Sequence, residues 1–279
     1  MNIGIRLHDT APGTLNERLG FAQSQGFTCA HLALSKTMQG FDMQNAPALL
    51  TDELARTVKG MFSAHGIQCA VLGCYLNLAN PDDEERQRTQ EIYRTHLRFA
   101  PLMDAMIVGT ETPANKNARY AQPASQSEEA FQLFLAGLRP VVRAAEEAGA
   151  ILAVEPVSYH IVSTPERAQR MLEAVPSDNL RIILDAVNLL SPDTVDRADA
   201  IVEDAISRLG DKIMMLHMKD YELQPGKVAA CACGTGSMRY ARLLAYASRR
   251  NLPMTLENTT PQNAEAARLY LERAAAGIS

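Results

Sequence analysis

Short apolar runs recur along the chain at near-regular intervals. They begin at Ile3 (IGIRL), Thr28 (TCAHLAL), Ile67 (IQCAVLG), Asp104 (DAMIVGT), Ala150 (AILAVE), Leu180 (LRIILD), Lys212 (KIMMLHM) and Leu252 (LPMTLE). Runs of this length, rich in β-branched and aliphatic residues, predict buried strands. Between them the apolar positions change period. In residues 128–149, Phe131, Phe134, Leu138, Val142 and Ala145 return at three- and four-residue spacing. That marks one apolar face of a helix, and Gly149 is its natural stop. Gly66 in AHGI plays the same part before the third strand. STPE at 163 and TTPQ at 259 each place a threonine before a proline, which predicts a cap followed by the first helical residue.

Eight strands alternating with eight helices predict parallel β-α repetition. Spread over 279 residues they give units of about 35, close to the spacing of a (β/α)8 barrel. A doubly wound open sheet is the rival, but its first strand normally leads into a glycine-rich phosphate loop. Here strand one runs into HDTAPGT, and the glycine pair of CGTGS stands late, at 233–237. The expectation is an α/β TIM barrel, parallel and eight-stranded, forming a single domain over residues 1–279.

Four polar residues then stand out, one near the end of each of the last four strands: Glu155, Asp185, His217 and Glu257. Their separations of 30, 32 and 40 residues are each about one β-α unit. In a barrel the C-terminal ends of all strands open on one face, so these side chains should converge. A single carboxylate at a strand end can cap the next helix, as Asp185 could, and a lone histidine on an apolar strand is commonly a core residue. Four in succession are not explained that way. Oxygen and imidazole donors suit Mn, Mg or Co better than a thiolate-type zinc site, and one divalent ion (Mn, Mg, Co or Zn) is the expected cofactor. With three carboxylates against one dication, a neutral polyol or ketose fits better than an anion.

Composition narrows the partners. A formal net charge of -5 offers no basic face for nucleic acid. The five cysteines, Cys29, Cys69, Cys74, Cys231 and Cys233, form no C-x-x-C pair and argue against a disulfide framework or a cysteine zinc ribbon. No apolar run reaches the length of a membrane span and the N-terminus lacks a signal pattern, so a cytoplasmic protein without membrane partners is expected.

VEP at 154–156, ILDAVN at 183–188, LHMKD at 216–220, GTGS at 234–237 and TLEN at 255–258 together resemble the xylose isomerase-like TIM barrel family, in its sugar phosphate isomerase/epimerase branch. The first half of the chain shares only the β-α rhythm and CYLNLANPDDEER after strand three. The resemblance implies one divalent metal held by Glu155, Asp185, His217 and Glu257, with Glu155 and Glu257 as the acid-base pair. It implies an isomerase or epimerase of a sugar or sugar derivative, working through a metal-stabilised enediolate. The same intermediate also permits a dehydratase or β-elimination lyase on a keto-sugar, keto-glycoside or keto-cyclitol. Family habit implies a homodimer or homotetramer. The chain departs from the ketose 3-epimerases of the family: Asn188 stands for a histidine, Ile161 for a glutamate and Leu223 for an arginine. The H-x-K-D around His217 looks more like the inosose dehydratase-like members. A non-catalytic binding barrel and an abasic-site endonuclease fit less well: the first would be expected to have lost a carboxylate, and the second needs many histidines and a phosphate-backbone surface.

Around this core, His8, Tyr75, His160, Asn188, Lys219 and Arg239 are expected to contact substrate. Lys219 follows His217 by two and so shares its face. Arg239 follows GTGS, where barrel analogy places a phosphate site. Asn77 shares the mouth with Tyr75. Glu111, in the polar stretch 110–120, reads as solvated, and His31 lies inside strand two.

Overall fold

The computed structural model describes residues 1–113 and 124–277; most of the polar stretch after Glu111 lies outside them. The eight anticipated strands are present: β1 (Ile3–Arg6), β2 (Cys29–Leu32), β3 (Gln68–Gly73), β4 (Ile107–Glu111), β5 (Leu152–Glu155), β6 (Leu180–Asp185), β7 (Ile213–Met218) and, last in the barrel, β10 (Met254–Leu256). They close in the order β1-β10-β7-β6-β5-β4-β3-β2, every pair parallel. This is a (β/α)8 TIM barrel.

Eight longer helices surround it among the described residues: α1 (Leu15–Ser24), α4 (Asp52–Ala64), α5 (Asp83–Leu102), α6 (Glu128–Ala148), α7 (Pro165–Ala174), α8 (Ala198–Leu209), α9 (Ala241–Arg250) and α10 (Ala264–Ala276). Two single turns, α2 (Leu34–Thr37) and α3 (Ala46–Leu49), follow β2. The five apolar positions read in α6 are buried. Its end is set by Gly149, which takes the left-handed conformation at φ 62° and donates to the carbonyls of Ala145 and Glu146. Thr164 caps α7 through the Arg167 amide, with Pro165 at the first helical position. TTPQ behaves differently. Thr260 donates its amide to Asn263 Oδ1, residues 261–263 form a turn, and α10 begins three residues after the proline.

The sequence pattern did not announce one insertion. Between β7 and β10, β8 (Asp220–Gln224) and β9 (Lys227–Cys231) pair as an antiparallel hairpin outside the barrel. It accounts for the longer interval between His217 and Glu257.

The barrel interior is layered. Cys29, Val71, Ile107, Ala153, Ile183 and Met215, with Ala70, form a buried apolar plug separate from the large core between barrel and helices. Side chains on a strand alternate faces, so the residue two positions on returns to the interior. Two positions beyond the plug stand His31, Gly73, Gly109, Glu155, Asp185 and His217. The same step on the remaining strands runs from Gly4 to Arg6 and from Thr255 to Glu257. At Gly4 a Cβ would meet the Cys29 carbonyl oxygen at 2.3 Å, so only glycine fits where these strands approach. One layer of the barrel is thus apolar except at Thr255, and the next is polar except at two glycines.

Candidate metal and substrate site

The polar layer forms the floor of a cavity of about 510 Å³ at the C-terminal mouth. Arg6, His8, His31, Tyr75, Glu111, Glu155, Asn188, Lys219 and Glu257 line it, with Lys36 and Tyr159 on its rim. The four strand-end residues converge as expected. Glu155, Asp185 and His217 offer ligand atoms within 4.8 Å of one another, and so do His31, His217 and Glu257. All five residues are buried.

The hydrogen bonds explain how each group is held. Asp185 Oδ1 accepts the amides of Val187 at 2.9 Å and Asn188 at 3.1 Å. This is the loop-capping role a strand-end aspartate can play, and it turns Oδ2 towards the site. Asn188 donates its side-chain amide to Glu155 Oε1, while Glu155 Oε2 lies 2.9 Å from His217 Nδ1. Glu257 Oε1 lies 3.4 Å from both His217 Nδ1 and Arg6 Nη1. Lys219 Nζ lies 2.9 Å from Asp185 Oδ2 and 3.2 Å from Glu257 Oε2.

These contacts set the protonation states. Burial disfavours charge on His217, but the carboxylates of Glu257 and Glu155 outweigh it and raise its pKa to about 9. Burial likewise opposes charge on Lys219, and Asp185 and Glu257 again outweigh it. Glu257 is held below the usual carboxylate range: burial pushes upward, and His217, Lys219 and Arg6 prevail. Asp185 is pushed up to about 6 by burial, against the pull of Lys219. Glu111 rises to about 7 through burial and the nearby charges of Glu155 and Glu257.

Four further residues belong to the cavity. His31 stacks on His217, with ring centroids 5.3 Å apart and planes within 8°. Its Nε2 meets the Tyr75 hydroxyl at 3.2 Å. Tyr75 leans over the two glycines: a Cβ at Gly73 would lie 2.7 Å from its ring and one at Gly109 3.5 Å from its hydroxyl. Arg6 is clamped by Asp9, Nε to Oδ2 at 3.0 Å and Nη2 to Oδ1 at 3.1 Å. Its signal was available, because Arg6 ends β1 as Glu155 ends β5. Glu111 lines the cavity while its side chain stays 36% exposed, so it is both solvent-accessible and turned to the site.

Of the second group of expected contacts, His8, Tyr75, Asn188 and Lys219 line the cavity. His8 does so from a short 3-10 turn after β1. His160 does not line it: it is buried behind Glu111, with Nδ1 3.6 Å from Glu111 Oε2. Asn77 instead accepts the Ala79 amide. Arg239 is also elsewhere. Its side chain is 81% exposed and pairs with Asp199 at 2.7 Å. The GTGS loop is not an open anion cradle, because Asp220 occupies it. Asp220 Oδ2 accepts the Gly234 amide at 3.0 Å, and Oδ1 accepts those of Tyr221 at 2.8 Å and Met238 at 2.7 Å. The aspartate of H-x-K-D therefore ties the hairpin and the following loop together.

The donor set fits a divalent ion. It combines carboxylate oxygens with one imidazole, all buried; the three carboxylates are each oriented by a partner outside the set, and the His217 ring is held by stacking on His31. No thiol approaches this set among the described residues.

Solved structures share the fold across essentially the whole chain. The 3-keto-D-glucoside 4-epimerase YcjR from E. coli, in its apo form, aligns with a TM-score of 0.76 at 14% identity, covering 98% of this chain and 99% of its own. The IOLI protein with a bound zinc atom gives 0.74 at 17%, covering 100% and 98%. The probable 3-DHS dehydratase AsbF of petrobactin synthesis from Bacillus anthracis gives 0.73 at 14%, covering 98% of each. No curated protein sequence matches the chain. The family model described as xylose isomerase-like TIM barrel matches residues 19–274. With the closed parallel barrel, that match establishes that the chain belongs to the xylose isomerase-like TIM barrel family.

Proposed function

We propose that the protein is a divalent-metal-dependent enzyme that moves a proton next to a carbonyl in a sugar or sugar derivative, as an isomerase or epimerase. The observation that carries this reading is the convergence of Glu155, Asp185, His217 and Glu257 on one buried floor beneath a cavity of sugar-accommodating size. These four residues would hold the ion. When bound, it supplies polarisation of a substrate carbonyl, which makes the neighbouring C–H acidic.

The chain's own groups perform the rest. Glu155 and Glu257 approach the floor from β5 and the end of β10, on opposite sides of His217, so one carboxylate takes a proton and the other returns it. Asn188 orients Glu155, and Arg6 with Lys219 holds Glu257 ionised, fit to accept. Tyr75 and His31 form a hydrogen-bonding wall for substrate hydroxyls. Glu111, pushed up to about 7, supplies a proton donor on the facing wall. That group favours a second reading, a lyase, in which a protonated Glu111 helps a β-hydroxyl or β-glycosidic oxygen to leave. A structurally similar epimerase and a structurally similar probable dehydratase make both outcomes compatible with the fold.

The test is proton exchange in D2O over a panel of ketoses, keto-glycosides and keto-cyclitols with added Mn2+. Deuterium at one carbon without loss of water supports the isomerase or epimerase, and release of water or aglycone supports the lyase. No exchange by the metal-loaded protein with any member would remove the proton-transfer reading.

A further inference from the structure

The cavity has two unlike sides. Glu111, Glu155 and Asp185 stand at the ends of β4 to β6, and Glu257 follows β10. The other side, from the ends of β1 and β2, presents Arg6, His8, Ser35 and Lys36, with Asn258 from the turn after β10. Lys36 is exposed on the rim, and no carboxylate pairs with it among the described residues. His8 Nδ1 is buried without a hydrogen-bond partner. Arg6 is held in place by Asp9, so its guanidinium is a fixed rather than a mobile charge. Burial, joined by Arg6, Lys36 and Arg18, lowers the His8 pKa to about 3, so the imidazole is neutral.

The late loop, where barrels often bind phosphate, cannot serve here, because Asp220 takes the Gly234 and Met238 amides and Arg239 points away from the mouth. Of the cations that line the cavity, Arg6 is paired with Asp9 and Glu257 and Lys219 with Asp185 and Glu257, which leaves Lys36 as the one without a carboxylate partner among the described residues.

We propose that the wall of His8, Ser35 and Lys36 is an anion subsite, and that the substrate carries a terminal oxyanion, a carboxylate or phosphate, distal to the carbon acted on at Glu155 and Glu257. The proposal rests on the reading of the mouth cavity as the substrate site. It replaces the expectation of a wholly neutral substrate. Lys36 supplies an uncompensated point charge, and His8 and Ser35 supply hydrogen bonds to the oxyanion.

The experiment compares binding of D-glucose, D-glucuronate and D-glucose 6-phosphate, which differ only in the group at the terminal carbon. Calorimetry is run on metal-free and Mn-loaded protein, for wild type, Lys36→Met, Lys36→Glu and Arg239→Met. In wild type, one charged ligand is expected to bind at least about tenfold more tightly than D-glucose, and which one identifies the carboxylate or the phosphate. The preference should fall at least about fivefold in Lys36→Met, disappear in Lys36→Glu, persist in Arg239→Met, and weaken with added salt. Lys36 is exposed, so these variants keep the fold. Equal or undetectable binding of both charged ligands relative to D-glucose overturns the subsite. So does a preference that Arg239→Met removes and Lys36→Met leaves intact. If the protein takes up Mn2+ and exchanges protons in a neutral sugar with no charge preference, the subsite fails alone. If it takes up no Mn2+, the metal reading fails while the Lys36 comparison in metal-free protein still decides the subsite.

Discussion

Two layers of the same barrel, one step of the strand repeat apart, solve opposite problems. Ile183 and Met215 belong to a dry apolar plug; Asp185 and His217, two positions later on β6 and β7, belong to a buried charged site. The backbone is equally well paired at both levels. The plug gains by removing apolar surface from water, whereas the polar layer bears the desolvation of six ionisable groups and offsets it through contacts with one another and with Asp9, Asn188, Lys219 and backbone amides. Stability and chemistry are therefore separated along each strand, as the fold permits when the barrel is filled below and open above.

Substitutions at matched positions sharpen that contrast. The largest effect is expected at Glu155→Gln, which should lower the proton-exchange rate by about a hundredfold to ten-thousandfold while leaving the thermal transition nearly unchanged. Near-normal exchange would remove Glu155 from the acid-base role. Next come the two members of one strand. Ile183→Ala should cost about 2–4 kcal/mol in urea unfolding, by opening a cavity in the plug. Asp185→Asn should cost far less, or stabilise, since it relieves a buried carboxylate whose pKa burial has pushed up. Equal losses at both would erase the distinction between layers.

Two buried histidines extend the comparison to pH. His96 lies in α5 with Nδ1 2.8 Å from the Ile92 carbonyl, and burial lowers it to about 4. Its contribution to stability is present above its ordinary value of 6.5 and is lost as pH falls through about 4. His217, raised to about 9, contributes in the opposite sense in metal-free protein: fully below 6.5, and lost as pH rises through about 9. Each is worth at most about 3 kcal/mol. Imidazole NMR of metal-free protein at pH 7 should find His96 neutral and His217 protonated. Asp220→Ala is expected to cost about 1–3 kcal/mol from three freed amides, with metal uptake intact. Loss of metal there would place the hairpin within the site.

Much of this was legible in the pattern of residues. Strand periodicity located all eight barrel strands, and the spacing of Glu155, Asp185, His217 and Glu257 followed from it, because each closes an apolar run. His31 escaped notice because it sits within its run, where a core histidine reads the same as a wall of the site. Arg6 escaped because a cation was not sought among carboxylates. The 220–231 hairpin hid behind LHMKD, since an antiparallel insertion leaves only a longer interval. TTPQ and GTGS were misleading for one reason. Short motifs describe one local preference, and here two acceptors outside them, Asn263 three residues on from Thr260 and Asp220 across the loop, decide what those backbone amides do. Arg239 followed GTGS away from the mouth.

The central claim is that the polar layer is a metal site, and metal stoichiometry tests it most directly. Elemental analysis of purified protein after equilibration with Mn2+ should give about one equivalent per chain. Glu257→Ala and His217→Ala, folded by circular dichroism, should lose it. An absence of bound metal in the wild type, or full occupancy retained in both variants, would contradict the account.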